Sequence, residues 1–373
     1  MKRLPLVDLV RSFSILSVLA IHTDLFFLRP SNPGLAWAWN HFQRNGTYGV
    51  YAFFLVSGFL ITGVIRRNSG GLWNSSLSKF YTQRVGRILP LLILTVWIGI
   101  LMLWTPRPPH ASYIDVFHPE SGTIGTGFWI CLGTFTFNWF LAFQPLASFG
   151  MFWSLLWSLS VEEQFYFLFP PLLKTLGNEK NLLQFLVAVL GIGFGWRLLC
   201  YTAQWNNRDL QVFTSLGAFD NVAFGVLLDL AVIRWSPALS KRKTWALLCC
   251  LSGLTLMLGI YLFTSLNNFL DRVYASTFFS GGLFLFLLGG LQFHFWKWKL
   301  WEPLTWPGRY CYGGYLLHPI VFAILFPILF EMDAWKALFI FAVVTTALAA
   351  VSFHFFEKPA NQLIRETFDK SLF

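Results

Sequence analysis

The chain has 373 residues, of which 56% are hydrophobic and only 12% are charged, about half the charged fraction of a soluble domain. Aromatic residues make up 19% of the chain, with 42 Phe and 18 Trp, and the mean hydropathy is +0.58. This composition excludes a soluble globular protein and a disordered chain, and long apolar stretches without period-two alternation exclude an outer-membrane barrel. The sequence therefore predicts an all-α, polytopic helical membrane protein.

Eleven apolar stretches follow one another along the chain. They lie near residues 7–28, 46–66, 88–105, 124–144, 150–174, 181–200, 214–234, 244–265, 274–293, 310–330 and 335–357. The stretch 124–144 is the least convincing span, because it contains three glycines and several threonines. If it does not cross and the N-terminus is cytoplasmic, 20 of the 27 Lys and Arg residues lie on the cytoplasmic side, as the positive-inside tendency requires. We predict about ten transmembrane helices, both termini cytoplasmic, and a loop or re-entrant segment near 106–149.

The remaining bulk properties indicate one membrane domain over residues 1–373. The formal charge is +10, but the basic residues lie between apolar runs. They therefore indicate how the chain is oriented in the membrane, and they do not indicate binding to nucleic acid. The five cysteines lie in or beside apolar runs without metal-type spacing, which predicts neither a disulfide framework nor a metal site. Asp8 and Arg11 interrupt the first apolar run, so we expect a retained span and not a cleaved signal peptide.

Arg11 and His22 are the first ionisable residues at membrane depth. Eleven residues are about three helical turns, so both side chains face the same side of the first span, roughly 16 Å apart along its axis. Taken singly, each has an ordinary explanation, a snorkelling helix-end Arg or a hydrogen-bonded His. The two on one face favour a functional site, because ionisable groups inside spans are costly.

Polar residues recur in and beside the later spans. Arg84 and Arg87 precede the third span at i, i+3, which suits either cytoplasmic anchoring or a forked phosphate site. The run Trp157–Tyr166 carries Glu162 deep in an apolar stretch, on the same helix face as Ser158 and Tyr166. A structural network between helices would also explain this run.

His318 lies before Pro319 in the ninth span, and it is either a ligand group or a histidine satisfied within the bundle. Glu357 lies at the cytoplasmic end of the tenth span, where pairing with an arginine near the inner mouth is the simpler explanation. Neither residue alone indicates a function.

Taken together, these residues resemble the membrane acyltransferase-3 family, which O-acylates extracytoplasmic glycans and some other acceptors. The resemblance covers nearly the whole chain, and its parts are Asp8 with Arg11 and then His22, Phe53–Ile61, the pair Arg84 and Arg87, Trp157–Tyr166, Tyr310–His318, and Phe356–Pro359. One departure is Cys311-Tyr312-Gly313-Gly314, where many members have Ser-rich residues. Some relatives carry an additional hydrolase-like domain, and we expect a stand-alone membrane domain here.

The resemblance implies an acyl-CoA-dependent O-acyltransferase with acetyl-CoA as the donor and no metal. The phosphates of CoA are expected at Arg84 and Arg87, with Arg11 just inside. The thioester would then lie near His22, the general base on the acceptor hydroxyl, because a histidine titrates near neutral pH. A covalent acyl-enzyme on His22 or Ser57 is the alternative to direct transfer.

Two further roles have more than one candidate. The hydrogen-bond donor to the oxyanion is Ser57, His318 or Tyr166. The carboxylate of Glu162 either orients the His22 ring or holds an arginine side chain in place. Tyr166, Trp157 and Trp139 are the expected substrate-binding residues, although an aromatic belt at the membrane interface also explains Trp139.

The acceptor implied is an extracytoplasmic saccharide, either lipopolysaccharide O-antigen, another surface polysaccharide or a lipid-linked sugar. Membrane lipid surrounds the protein, which is expected in a bacterial inner membrane. A transporter or flippase that uses the buried charges is the competing hypothesis, but matching half-repeats typical of transporters are not visible. A structural subunit would explain the buried charges poorly.

Overall fold

The computed structural model describes residues 3–24, 32–68, 71–74, 76–105, 117–118, 124–143, 150–205, 208–265 and 268–371. Over these residues the fold is all-α, as predicted. In chain order the helices are α1 (Pro5–Asp24), α2 (Pro33–Arg44), α3 (Thr47–Asn68), α4 (Leu77–Leu103), α5 (Thr126–Gly133), α6 (Phe137–Phe143), α7 (Met151–Ser154), α8 (Leu156–Leu176), α9 (Glu179–Thr202), α10 (Arg208–Val212), α11 (Ser215–Lys241), α12 (Lys243–Phe263), α13 (Asp271–Gly290), α14 (Glu302–Arg309), α15 (Cys311–Leu329), α16 (Ala334–Ser352) and α17 (Lys358–Ser371).

Nine helices in the described part of the chain are long and apolar enough to cross a membrane. The helix α8 has 21 residues, the length of a span, but it also carries Glu162, Glu163 and Lys174. These helices correspond to the ten stretches predicted to cross. The prediction of a polytopic helical membrane protein is therefore confirmed.

The stretch 124–144 folds as a hairpin of two short helices, α5 and α6, with 8 and 7 residues. A helix of eight residues is about 12 Å long, too short to cross the hydrocarbon core. The tip residue Phe135 has a φ of 54°, a left-handed conformation that bulky residues rarely adopt. Residues 106–116, 119–123 and 144–149 of the expected loop lie outside the described residues.

Backbone contacts at glycines bring α3 close to α11 in the centre of the bundle. A Cβ atom on Gly58 would meet the carbonyl of Val222, and one on Gly225 would meet the carbonyl of Leu55. Such small residues let transmembrane helices approach to backbone distance. On its other side α3 packs against α1 at Gly49, so α3 lies between α1 and α11.

The parallel helices α1 and α15 lie side by side although some 300 residues separate them. The short helix α14 sets the start of α15 against α1, since the amide of Gly308 donates to Ser12 Oγ at 2.8 Å. Two contacts then link the long helices, Arg11 with Cys311 and His22 with His318. These helices therefore carry polar side chains at two levels of the bundle.

The C-terminal residues form a helix that packs against α4. A π-helical turn over Phe353–Glu357 joins α16 to α17, and the Asn361 side chain of α17 lies beside Gly86 of α4. Glu357 is buried in this turn and accepts a hydrogen bond from Ser352 at 3.2 Å. The helix α17 thus supports the segment of α4 that carries Arg84 and Arg87.

An ion pair lies in the interior between α9, α11 and α13. Arg197 and Asp220 are 1% and 0% exposed, with a nitrogen-to-oxygen distance of 2.7 Å. Thr277 donates to the same carboxylate at 2.9 Å, and Arg197 donates to the carbonyl of Val273 at 3.1 Å. Arg197 is therefore buried in the bundle and does not anchor a helix end at the membrane surface.

Candidate active site

A cavity of about 150 Å³ lies between α1, α3, α4, α8 and α15. Six residues that the sequence analysis assigned to the site line this cavity, namely Arg11, Ser57, Arg84, Arg87, Glu162 and Tyr166. They come from four different helices, so the folded chain brings together side chains that are as many as 155 residues apart in sequence. Hydrophobic residues of α3 and α8 complete the wall.

The basic side of the cavity consists of Arg11, Arg84 and Arg87. The guanidinium of Arg11 lies 3.6 Å from a carboxylate oxygen of Asp8 and hydrogen-bonds the Cys311 thiol. Arg84 stacks over the ring of Tyr166 at 4.2 Å. Neither Arg84 nor Arg87 has a carboxylate within 4.0 Å in the described part of the chain. They interact electrostatically with the Glu162 carboxylate without a close ion pair, so they can also attract an anion.

Arg87 lines the cavity and is at the same time an exposed residue. This combination puts Arg87 at an opening of the cavity. The i, i+3 spacing on α4 aims Arg84 into the same cavity, since residues three apart are neighbours on a helix surface. The arrangement suits a phosphate-bearing ligand that enters past Arg87.

The carboxylate in the cavity is that of Glu162. Ser57 donates to one of its oxygens at 2.6 Å, and Tyr166 donates to the other at 3.4 Å. These hydrogen bonds are with hydroxyl groups of α3 and α8, and the orienting role of Glu162 toward His22 or an arginine stays a prediction. The carboxylate is nevertheless compensated by the three arginines nearby.

His22 and His318 face each other from α1 and α15, with ring centroids 4.8 Å apart. His22 is partly exposed, whereas His318 is 0% exposed. From the Cys311 level to the His318 level, seven residues along α15 correspond to about 10 Å. The histidine pair therefore lies about two helical turns from the Cys311 level on α15, and about three turns from Arg11 along α1.

Hydrogen bonds to backbone carbonyls assign the tautomer of both histidines. Nδ1 of His22 lies 2.7 Å from the carbonyl oxygen of Val18, and Nδ1 of His318 lies 2.6 Å from that of Tyr315. Because a carbonyl oxygen only accepts, each Nδ1 carries the proton and each Nε2 keeps a lone pair. Nε2 of His318 is buried and has no partner among the described residues.

Tyr315 and Ser158 connect the cavity to the histidine pair, and the sequence analysis did not assign them to the site. The Tyr315 hydroxyl lies 2.6 Å from Ser158 Oγ, and its ring lies 5.7 Å from the ring of His318. Both residues line the cavity. Helical spacing could have identified both residues as site residues. Tyr315 is three residues before His318 and Ser158 is four before Glu162, so each lies on the same helix face as a predicted site residue.

The two tryptophans expected to bind substrate lie away from the cavity wall. Trp157 is 7% exposed and stacks on Phe213 with centroids 4.6 Å apart, so its ring is part of the core. Trp139 lies on α6 of the hairpin and is partly exposed. In the described residues no three His, Cys, Asp or Glu side chains converge as metal ligands do.

Comparison with known proteins gives a consistent result. A family model for the acyltransferase-3 type, described as an acyltransferase domain, matches residues 5–354. The chain is 26% identical to a peptidoglycan O-acetyltransferase (OatA) of Listeria monocytogenes, over 97% of this chain and 56% of that protein. It is 25% identical to a putative peptidoglycan O-acetyltransferase (YrhL) of Bacillus subtilis, over 99% of this chain and 57% of the relative.

An O-acetyltransferase (OatA) of Staphylococcus aureus is 23% identical over 96% of this chain and 57% of its own length. The chain thus spans a little more than half the length of these relatives. No solved structure shows significant similarity to it.

Proposed function

The chain belongs to the membrane acyltransferase-3 family, and from this premise we propose that it transfers an acyl group from cytoplasmic acyl-CoA to a hydroxyl of an extracytoplasmic saccharide. The observation that carries the proposal is the order of groups through the bundle. An arginine-lined cavity opens at one level, and a pair of histidines with free Nε2 atoms lies about two turns further along the same two helices. Phosphate recognition and base catalysis are thereby separated in the direction that the acyl group must travel.

The donor is acetyl-CoA, with its phosphates at Arg84 and Arg87 and Arg11 deeper in the cavity. Guanidinium groups suit phosphate because their planar donors make paired, charge-assisted hydrogen bonds. Arg84 and Arg87 form no close ion pair among the described residues, which supports this assignment. The thiol end of the donor then points past Tyr315 and Ser158 toward the histidine pair.

The reaction is a direct transfer with His22 as general base. Nε2 of His22 accepts the proton of the acceptor hydroxyl while the hydroxyl oxygen bonds to the thioester carbon. The carbon–sulfur bond breaks as the tetrahedral intermediate collapses, and the CoA thiolate takes the proton from His22. The Tyr315 hydroxyl donates to the carbonyl of Leu155 at 3.0 Å and lies 2.6 Å from Ser158 Oγ, so one of these hydroxyls must turn out of this hydrogen-bond chain to donate to the developing oxyanion. Ser57 and Glu162 hold Tyr166 and Arg84 in place.

The acceptor approaches from the side of the membrane opposite the arginines. Two of the relatives are named as peptidoglycan O-acetyltransferases, which favours an envelope saccharide such as peptidoglycan, O-antigen or a lipid-linked sugar. The protein then resides in a bacterial inner membrane with both termini cytoplasmic, since this orientation puts most basic residues inside.

The experiment that tests this function measures the melting temperature of the detergent-purified protein with acetyl-CoA, CoA, CoA without its 3′-phosphate, and ATP. A ligand that binds only the folded state raises the melting temperature. We expect acetyl-CoA and CoA to stabilise the protein, the dephosphorylated form to stabilise it less, and ATP to have little effect. Absence of a response to every CoA species would contradict the proposal.

A double variant identifies the phosphate site. Arg84→Ala with Arg87→Ala should strongly weaken the stabilisation by CoA, and the binding that remains should depend less on salt than wild-type binding, because salt screens phosphate contacts. Arg234→Ala with Arg242→Ala is the matched control, because it removes the same charge from two exposed residues. If both double variants respond to CoA alike, the phosphates do not bind at Arg84 and Arg87.

A further inference from the structure

Helix α2 bridges two of the helices that surround the histidine pair. The turn after α2 lies against α1, since a Cβ atom on Gly46 would meet Cβ of Ile21, the residue before His22, at 2.6 Å. Within α2, the ring of Trp39 lies against that of Trp335 on α16, with centroids 4.8 Å apart. With 12 residues, α2 is about 18 Å long, so it can cover the space between α1 and α16.

This bridge lies on the side of the histidine pair that faces away from the arginines. The helices α15 and α16 are antiparallel, since Gly313 lies beside Ala349 and the ring of His318 lies 6.5 Å from that of Phe341. Trp335 precedes Phe341 by six residues, which places it about 9 Å further from the level of the arginines. An acceptor that enters opposite to the donor therefore meets α2 before it reaches the histidines.

Trp39 and Gln43 are buried polar side chains of α2 that lack hydrogen-bond partners. They are 0% and 1% exposed, and residues four apart share one face of a helix. Among the described residues no atom pairs with Trp39 Nε1, with either end of the Gln43 amide, or with Trp335 Nε1. Buried indole N–H groups usually find a partner, and each unsatisfied group destabilises the packed state. The position of α2 against α16 is therefore held against an energetic cost.

The C-terminal end of α2 is held by hydrogen bonds, whereas its inward face rests on ring contacts. Nδ2 of Asn45 donates to the carbonyl of Thr264 at 3.2 Å, and the Tyr261 hydroxyl donates to the carbonyl of Phe42 at 3.1 Å. The contact of Trp39 with α16 is a contact of rings alone. A movement of α2 away from α16 would break this contact and use the hydrogen-bonded end as a hinge.

We propose, resting on the acyl transfer proposed above, that α2 binds the acceptor and moves away from α16 to admit it. A saccharide hydroxyl both donates and accepts hydrogen bonds. It can therefore accept from Trp39 Nε1 and donate to Gln43 Oε1, the two atoms that the fold leaves unpaired. The flat, apolar face of the Trp39 ring suits the C–H groups of a sugar. The saccharide then lies on the side of His22 opposite to the donor.

Gln43→Met tests the cost of the buried amide. Methionine is close to glutamine in size and has no amide, so it fills the same space without an unpaired group. We expect the purified variant to melt at a higher temperature than the wild-type protein and to keep the wild-type response to acetyl-CoA. Gln164→Met is the matched control and should melt lower, because the amide of Gln164 donates to Phe135 and Asn138.

Gln43→Cys tests the movement of α2. A thiol at this buried position reacts with N-ethylmaleimide only when α2 leaves the bundle. The matched control is Thr47→Cys, because Thr47 lies beyond the hinge at the start of α3 and is 6% exposed. After subtraction of the labelling of the wild-type protein, which has five cysteines, we expect Gln43→Cys to be labelled at least tenfold faster than Thr47→Cys.

The acyl label on the envelope saccharide of expressing cells tests the binding of the acceptor. Gln43→Met should lower this label at least tenfold, since the hydrogen bond to the acceptor is lost and the closed position of α2 is favoured. A glutamine with a purely structural role would not give a more stable protein that still binds acetyl-CoA and yet transfers less.

Three results would each overturn the inference. The first is a Gln43→Met variant that melts below the wild-type protein, as Gln164→Met does, because the amide would then have partners in the fold. The second is labelling of Gln43→Cys no faster than that of Thr47→Cys, and the third is an unchanged acyl label in Gln43→Met. In each case acetyl-CoA still stabilises the protein and the proposed function stands, whereas a wild-type protein without any response to acetyl-CoA would overturn that function as well.

Discussion

At the scale of single residues, the histidine pair is the most specific feature of the site. Both rings donate through Nδ1 to the carbonyl one turn earlier, so the backbone itself fixes which nitrogen is basic. His22 is the more accessible of the two. A base that must meet an incoming hydroxyl needs this accessibility, and His318 lies behind it.

His22→Ala should abolish acyl transfer and leave donor binding intact. The imidazole is the base in the proposed reaction, but it lies two to three turns away from the arginines proposed to bind the phosphates. The measurement is base-labile acyl label on the envelope saccharide of cells that express the variant, with the acetyl-CoA melting shift of the purified protein beside it. Full transfer by His22→Ala would disprove the assignment of the base.

Ser57→Ala distinguishes direct transfer from an acyl-enzyme on this serine. Because Ser57 donates to Glu162 and carries no acyl group in our mechanism, we expect turnover to fall less than tenfold. Intact-mass measurement of the wild-type protein mixed with acetyl-CoA should detect no added acyl group. Complete loss of turnover, together with an acylated wild-type protein, would favour the covalent route.

At the scale of elements, one side chain of α8 makes several of the hydrogen bonds that hold the α5–α6 hairpin in the bundle. Gln164 donates to the carbonyl of Phe135 at 2.6 Å and to Asn138 Oδ1 at 2.8 Å, and it accepts from Ser215 of α11. Asn138 is 0% exposed. These bonds satisfy backbone and amide groups that would otherwise be unpaired at membrane depth.

Gln164→Leu should therefore destabilise the protein. Loss of the amide leaves buried acceptors without donors, at about 1–3 kcal/mol for each unsatisfied group. The check is the melting temperature and the rate of limited proteolysis, both compared with Gln362→Leu on the exposed side of α17. Equal behaviour of the two variants would mean that the hairpin is held by its apolar contacts alone.

The sequence predicted this hairpin better than it predicted the role of Gln164. Glycines and threonines in a short apolar stretch were sufficient to exclude a span. Gln164, however, stands beside Glu162 in one polar run, and the run was interpreted as one site. Successive helical residues point about 100° apart, so Glu162 faces the central cavity, whereas Gln164 faces the hairpin.

At the scale of the whole molecule, the ion pair of Arg197 and Asp220 joins three transmembrane helices. Arg197→Met should lower the free energy of unfolding by about 3–5 kcal/mol, because it leaves a buried carboxylate uncompensated. The measurement is thermal unfolding in detergent. Adding Asp220→Leu to the same chain should recover part of the loss, and a double variant no more stable than the single one would contradict an ion-pair effect.

Hydropathy and charge predicted the number of long helices, but they could not predict which helices meet. The pairing of α1 with α15 depends on Gly308 against Ser12 and on two side-chain contacts across some 300 residues. The burial of Arg197 could not be predicted either, because a count of charges assumes that every arginine lies at a membrane surface. Helical spacing did predict the shared face of Arg11 and His22, because that relation lies within one helix.

The three arginines have a second consequence for a protein that opens a path through a membrane. A cavity that admits an anionic ligand from one side and a hydroxyl from the other is a potential leak for protons and cations. Fixed positive charges in a narrow, low-dielectric passage repel such ions, as arginine does in other selective pores. The guanidinium groups would thus preserve the membrane potential while the enzyme is empty. In vesicles with a pH gradient, the empty Arg84→Ala, Arg87→Ala variant should dissipate that gradient faster than the wild-type protein.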